Sequence, residues 1–343
     1  MRRFLLASLL FAFAHFADAE APKFIDTQAQ FHPGYNDYAG TVQIMLKEMD
    51  RVGISKTLLV PFPLHKYGAF KYSYDAEEFS KVVKQYPARF GFLAGGGTLN
   101  VMILENAPGN VSEKTKADFR RRCEEILALG ALGFGEVTAR HLSLSATGVM
   151  GDRHAYESTA PDHPLLLLLA DIAAEKDVPI DIHFDVFPET VPTPPRLQRN
   201  NPPEMTENLQ AFERLLAHNR KARINWAHLG SDPARYRTPE LMRELLTRHP
   251  NLYSAFRIIG GGPLPMAPLD ETGQLKPIWA ALIKDFPDRF TMHSDIFYQP
   301  SWPPDIGPKM SHELAKKLLE QLPHDIARKL AYENTQRIYK LMD

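Results

Sequence analysis

The chain has 343 residues, with 40 Lys and Arg against 41 Asp and Glu, a net charge of −1, and 44% apolar residues. That length allows one large domain or two ordinary ones around a sizeable core. The near-neutral balance excludes a nucleic-acid footprint or a polybasic membrane surface, so a charged ligand must be held by local side chains.

The first residues read as a targeting segment. Arg2-Arg3 precedes an apolar run from Phe4 to Phe16 that is too short to span a bilayer, and Ala17-Asp18-Ala19 is a small-x-small cleavage site. The expected mature chain is therefore residues 20–343, one domain, periplasmic or secreted, and free of the membrane once the leader 1–19 is removed. No cysteine follows the apolar run, which argues against a bacterial lipid anchor. Cys123 is the only cysteine, so no intramolecular disulfide is possible, which suits a periplasmic protein better than a eukaryotic secreted one. It sits in the helical stretch Phe119 to Leu127 without an activating context, and reads as a packing residue. Asn110-Val111-Ser112 is a glycosylation sequon, a pattern frequent by chance.

The rest alternates with regularity. Phe24 to Phe31 is a strand, Thr41 to Val52 an amphipathic helix with Val42, Met45, Leu46 and Met49 on one stripe, and Thr57 to Phe62 a strand. Asp75 to Tyr86 is a helix with an Asp cap, closed by Pro87. Phe90 to Gly97 is a strand running into a glycine turn, Lys116 to Leu129 a helix, and Ala131 to Val137 a strand. Residues 139–162 are polar and irregular, as a functional loop would be. His163 to Lys176 is a helix, and Val178 to His183 the fifth strand. A proline-rich excursion over 187–203 precedes a helix from Glu204 to Asn219 and a sixth strand, Ala222 to His228. Thr238 to Arg248 is a helix, and Asn251 to Arg257 a strand followed by Gly260-Gly261-Gly262. Lys276 to Asp285 is a helix and Arg289 to Asp295 the eighth strand. Ser311 to Leu322 and Asp325 to Met342 close the chain as helices.

Eight strands alternating with helices argue for parallel βαβ units, and the count favours an α/β fold of the (β/α)8 TIM-type barrel kind. A doubly wound sheet is the alternative, weakened because no glycine-rich dinucleotide turn follows the first strand. In a barrel the site lies where the strands end C-terminally. The polar residues at those ends are Gln28 and Gln30, which share one face of strand one, Glu136 on strand four, His183 on five, His228 on six, Arg257 on seven and Asp295 on eight. Each has an ordinary reading as a core hydrogen-bonder or helix cap, but two histidines and two carboxylates converging on one mouth point to chemistry. Arg140 and His141 follow strand four. A guanidinium from Arg140 or Arg257 suits a substrate carboxylate or phosphate, and a salt bridge between loops serves equally. His293 shares a strand face with Asp295. His32, His65 and Trp302 fall in mouth segments without an assigned role.

These motifs, Ile25-Asp26-Thr27-Gln28-Ala29-Gln30, Gly135-Glu136, Pro179-Ile-Asp-Ile-His183, Trp226-Ala-His228-Leu-Gly230, Ser294-Asp295 and the tail Tyr332 to Leu341, resemble in order and spacing the amidohydrolase superfamily. The match is to the amidohydrolase-related branch that includes lactonases and non-oxidative decarboxylases. That family usually carries His-x-His on strand one, which holds a metal together with the strand-eight Asp. Gln28 and Gln30 stand there in this chain and should impair that position. The resemblance implies a second position, used across the superfamily, built from a strand-four carboxylate and the histidines of strands five and six: Glu136, His183 and His228. In this respect the chain is similar to bacterial N-acetylglucosamine-6-phosphate deacetylases that lack the strand-one histidines.

The expected cofactor is one divalent metal, zinc by its ligand set. Asp295, relieved of metal duty, is then the catalytic base and acid, with Gln28, Gln30, Arg140, His141, Arg257 and His293 lining the substrate side. The expected function is hydrolysis of an amide, ester or lactone bond in a small molecule. A decarboxylase of the same family and a metal-free ligand-binding barrel are the rivals, and a homodimer is expected from family habit alone.

Overall fold

The computed structural model describes residues 23–31, 37–64, 74–143, 156–198, 200–258, 266–298 and 308–341. The leader 1–19, the glycine triplet at 260–262, His32, His65 and Trp302 lie outside them.

Eight parallel strands form the centre: β1 (Phe24–Phe31), β2 (Ile54–Val60), β3 in two segments (Phe90–Phe92 and Ala94–Gly95), β4 (Phe134–Thr138), β5 (Pro179–His183), β6 (Arg223–Leu229), β7 (Leu252–Arg257) and β8 in two segments (Phe290–His293 and Ile296–Tyr298). Each strand pairs in parallel with the next. The first segment of β3 pairs with β2 and the second with β4; the first segment of β8 pairs with β7 and the second with β1. The sheet thus closes on itself as the expected (β/α)8 barrel, which abolishes exposed strand edges.

The helices are α1 (Tyr38–Val52), α2 (Ala76–Gln85), α3 (Leu99–Glu105), α4 (Glu113–Ala128), α5 (Pro164–Lys176), α6 (Leu209–His218), α7 (Pro239–Arg248), α8 (Pro277–Asp285), α9 (Pro308–Glu320), α10 (His324–Arg328) and α11 (Asn334–Tyr339). Several starts are set by caps that shift the expected bounds. Asp37 accepts from Gly40 N and begins α1 at Tyr38, and Ser112 accepts from Thr115 N and begins α4 at Glu113. That Ser is the third residue of the sequon. The helix expected from Glu204 begins only at Leu209, because Glu204–Met205 pairs antiparallel with Val191–Pro192. Helix α3 was not expected from the sequence. No helix among the described residues is long and apolar enough to cross a membrane.

Strand alternation divides the core. One face of the strands packs against the helices through Phe79, Phe92, Phe119, Trp226, Phe256 and Trp279, all nearly inaccessible. On the other face Leu58, Val60, Leu93 and Tyr253 meet Ile338 and Tyr339 of α11, so the C-terminal helix plugs the bottom of the barrel. Asn334 fixes that tail by donating to Pro287 O and Phe290 O at 2.8 Å each. At the other end Leu142, Phe187, Leu197, Met205 and Ala234 form a small cluster that packs the proline-rich excursion onto the mouth. Cys123 is buried in α4, and burial pushes its thiol up, away from the reactive thiolate.

The seam between β1 and β8 rests on Asp26, whose Oδ1 accepts from Ser294 N at 2.8 Å and whose Oδ2 accepts from Ser294 Oγ at 2.5 Å. Behind it, α1 and α9 are clamped together. Glu48 accepts from Arg51 Nε and Nη2 at 2.7 Å each and faces His312 Nδ1 at 3.0 Å, while His312 Nε2 lies 3.8 Å from Asp26 Oδ2. Burial alone would raise the Glu48 carboxyl, but its bonds from Arg51 and His312 bring it down to about 2. Burial would lower His312, but Asp26 and Glu48 raise it.

A depressed carboxyl contributes stability above its unfolded pKa and loses it as pH falls through the folded value. A raised imidazole contributes below its unfolded pKa and loses it as pH rises through the folded one. The clamp is therefore strongest at about pH 5 to 6. Glu48→Gln should lower unfolding stability by about 1–3 kcal/mol near pH 6. In denaturant titrations that difference should shrink as the pH is lowered toward about 2.5. An unchanged difference would show that Glu48 acts by packing alone.

Candidate active site

Strict alternation does not by itself bring the site residues together. The pairing register slips between Asp26 and Ala29 on β1, between Phe134 and Val137 on β4, and between Trp226 and Leu229 on β6, while β8 is interrupted at Ser294-Asp295. Each irregularity holds a candidate residue: Gln28, Glu136, His228 and Asp295. Such slips re-aim side chains at barrel rims. His228 (φ 64°) and Asp295 (φ 51°) also adopt left-handed backbone, an uncommon state for residues with a Cβ. Two backbone bonds hold these turns: His228 N donates to His293 Nε2 at 3.0 Å, and Asp295 N donates to Gln28 O at 2.9 Å. Gly135 is required by close approach, since a Cβ there would stand 2.7 Å from Asp181 Cβ on β5.

The result is a cage around one carboxylate. Glu136 is 3% exposed. Its Oε1 meets His183 Nδ1 at 3.1 Å and His228 Nε2 at 2.7 Å. Its Oε2 accepts from Gln28 Nε2 at 2.9 Å and from Gln30 Nε2 at 3.4 Å. The directions of these bonds are mutually determined. His293 Nε2 accepts the backbone N–H of His228, so Nδ1 of the neutral ring carries the hydrogen and donates to Gln28 Oε1 at 2.9 Å. That bond turns the Gln28 amide nitrogen toward Glu136. Gln30 directs its nitrogen toward both Glu136 and Asp295 Oδ1 (3.5 Å), and its oxygen is buried without a protein partner.

Burial alone would raise the Glu136 carboxyl, but the two imidazoles against it hold it well below the usual range. Burial would lower His183, yet Asp185 (Nε2 to Oδ2, 3.2 Å) and Glu136 on its other side push it up to about 10. His228 is lowered by burial, and His293 is lowered well below the ordinary imidazole value, first by burial and then by His228 and Arg257. In this state His183 carries the proton, whereas His228 and His293 are neutral. His228 Nδ1 is buried without a hydrogen-bond partner, 3.9 Å from Asp295 Oδ2.

The other candidate residues gather around this cage. Asp295 receives Arg257 Nη2 at 3.0 Å, and Arg257 remains partly exposed at the mouth. His141 packs edge-on against His183, with ring centroids 4.5 Å apart. Arg140 directs both terminal nitrogens to Thr206, at 2.7 Å (O) and 2.8 Å (Oγ1), and so ties the segment after β4 to the stretch that leads into α6. Gln28 has both ends of its amide engaged by protein.

Sequence reasoning missed Asp185, which orients His183 and accepts from Leu142 N at 2.8 Å. Its signal was the i, i+2 spacing from His183. It also missed Asn100 of α3, Thr138 and Glu157, which form a buried group beside the cage.

Two imidazole nitrogens and a carboxylate oxygen lie within 4.8 Å of one another in Glu136, His183 and His228. Two His and one Glu with an open position is a catalytic zinc donor set. His183 further fits because its second nitrogen rests on the Asp185 carboxylate, the usual outer support of a metal-binding imidazole. The residues present therefore fit one divalent ion. The strand-one position does not: the Gln28 oxygen is held by His293, and both amide nitrogens face carboxylates.

The comparisons agree with this architecture. A family model described as amidohydrolase matches residues 110–341, more than half of the chain. No curated protein matches it. Among solved structures, an amidohydrolase II is 13% identical with a TM-score of 0.53, covering 93% of this chain and 100% of its own. A 5-carboxyvanillate decarboxylase from Novosphingobium aromaticivorans, complexed with manganese and 4-hydroxy-3-methoxy-5-nitrobenzoic acid, is 14% identical with a TM-score of 0.51, covering 93% and 96%. A probable 2-pyrone-4,6-dicarboxylic acid hydrolase from Acinetobacter baumannii, with citric acid bound, is 13% identical with a TM-score of 0.50, covering 93% and 100%. At these identities the structures share the fold, and the family match carries the assignment: the chain belongs to the amidohydrolase family.

Proposed function

We propose that the chain is an exported enzyme that acts on a carbonyl or carboxyl group of a small molecule at the barrel mouth, with one divalent metal held by Glu136, His183 and His228. The observation that carries this reading is the convergence of those three donors beside Asp295, a carboxylate held on a left-handed turn. The metal would supply Lewis acidity to a substrate oxygen, and zinc suits the donor set. The chain's own residues do the rest. Asp295 is positioned between Arg257 and the Gln30 amide to take up a proton and return it to a leaving group. Asp185 orients His183, and the His293–Gln28 pair orients Glu136.

Hydrolysis of an amide, ester or lactone bond is the first reading. Decarboxylation is the second, and Arg257 favours it. Its guanidinium is partly exposed at the mouth, which suits a substrate carboxylate. The fold neighbours include both chemistries, and the manganese in one of them supports a divalent ion without favouring zinc.

Elemental analysis of the purified protein should find about one metal ion per chain, lost in Glu136→Gln. Absence of metal after incubation with zinc would overturn the enzyme reading in favour of a ligand-binding barrel. Asp295→Asn should retain the metal and lower kcat by about 100-fold or more on whichever substrate is turned over; loss of metal in that variant would place Asp295 among the ligands instead. Release of CO2 during turnover separates the two chemistries. Gln28→Leu strands His293 Nδ1 and leaves Glu136 Oε2 only the longer bond from Gln30, and should cost about 1–3 kcal/mol of unfolding stability. Gln30→Leu, whose bonds are longer, should cost less in the same denaturant titration.

A further inference from the structure

Beside the cage, Thr138 lies two residues beyond Glu136 on β4. Its hydroxyl faces two oxygens, Asn100 Oδ1 at 3.0 Å and Glu157 Oε2. The Asn100 amide cannot be turned to relieve this, because its nitrogen donates to Leu64 O at 2.9 Å and its oxygen accepts Thr138 N at 2.7 Å. A hydroxyl carries one hydrogen and cannot donate to both neighbours. The count closes if Glu157 carries a proton, donates to Thr138 Oγ1, and Thr138 donates to Asn100.

We propose that Glu157 is a positioning residue, held as a neutral carboxylic acid, which through Thr138 locks the end of β4 that presents Glu136 to the site. It rests on Glu136 being a site residue and does not depend on a bound metal. The surroundings favour the neutral form. Glu157 is 7% exposed and is paired across a two-residue ladder with His141, the ring that packs on His183. The groups around it are Thr138 and Glu136 on β4, Asn100 on α3 and His183 on β5. Burial raises its carboxyl to about 7. Thr138, His183 and Asn100 oppose that rise and Glu136 adds to it. When Glu157 ionises, the Thr138 hydroxyl is left between two acceptors with one hydrogen, and a second negative charge appears next to Glu136.

The metal-free full-length protein tests this by infrared spectroscopy and histidine NMR. In the difference between the wild type and Glu157→Gln, whose amide can still donate to Thr138, a protonated carboxyl band should be present at pH 6 and disappear with a midpoint near neutrality, apart from the band of buried Asp181 that both proteins share. The ring resonances of His183 and His228 should shift with the same midpoint in the wild type, and Glu157→Gln should lose that step. A raised folded pKa makes the wild type lose stability as pH rises from about 4.5 to about 7. The thermal midpoint of Glu157→Gln should therefore gain on that of the wild type over the same range. Absence of that band from the difference at pH 6 would overturn the proposal, and so would histidine resonances indifferent to Glu157. Either result is independent of whether zinc binds.

Discussion

One buried carboxylate sets the demands that the barrel mouth must meet. An anion as inaccessible as Glu136 is tolerated only when its oxygens are surrounded by donors. Here Gln28, Gln30, His183 and His228 provide them, from β1, β5 and β6. Each donor is then constrained in turn. His183 is pushed toward its protonated form by Asp185 and Glu136 on its two sides. His228 must direct Nε2 inward, which leaves Nδ1 toward Asp295. Gln28 must show its nitrogen to Glu136, which requires a donor behind its oxygen, and His293 supplies it. Removing the charge of Glu136 would release all of these orientations together, so the site behaves as one unit and not as a set of separate contacts.

The barrel reaches this arrangement by giving up regularity where the strands end. A strand that alternated without interruption would offer every second residue to the interior and no more. The slips on β1, β4 and β6 and the interruption in β8 bring extra side chains inward at one level. Their backbone groups are then satisfied by the site itself, as with His228 N on His293 and Asp295 N on Gln28 O. Scaffold and site are thus built from the same bonds. The closing seam at Asp26 and Ser294 lies immediately next to Gln28 and Asp295, so barrel closure and site geometry are linked through β1.

This explains what was legible in the sequence. Apolar runs and helical stripes gave eight strands and their order, because both depend on side-chain periodicity. Listing the polar residues at strand ends found Gln28, Gln30, Glu136, His183, His228 and Asp295, which the structure places together. The periodicity did not reveal α3, too short to show a stripe, or the late start of α6, set by a strand pair within a proline-rich stretch. Nor could it assign Asp185, Asn100 and Glu157. Their roles depend on which acceptor lies opposite which donor in three dimensions, and a carboxylate in a loop reads the same whether it faces water or a threonine hydroxyl. Arg140 shows the converse. Its residue type and position suggested substrate, while its hydrogen bonds go to Thr206, a partner 66 residues away.

The two amides on β1 bear most directly on where a metal could sit. A metal requires lone pairs directed at one point. An imidazole offers one lone pair in its plane, and its other nitrogen can be anchored independently. An amide facing a carboxylate must turn its N–H groups toward that charge, so its oxygen points elsewhere. Gln28 is held in that orientation from both sides, by Glu136 in front and by the His293 N–H behind. The backbone of His228 sets the tautomer of His293. Rotating Gln28 to present its oxygen to a metal would place oxygen against the Glu136 carboxylate and nitrogen against the His293 N–H, two repulsive contacts in a buried space. Glutamines on β1 and an ionised Glu136 on β4 are therefore one device. Their mutual bonds turn the Gln28 oxygen away from the space that Glu136, His183 and His228 surround.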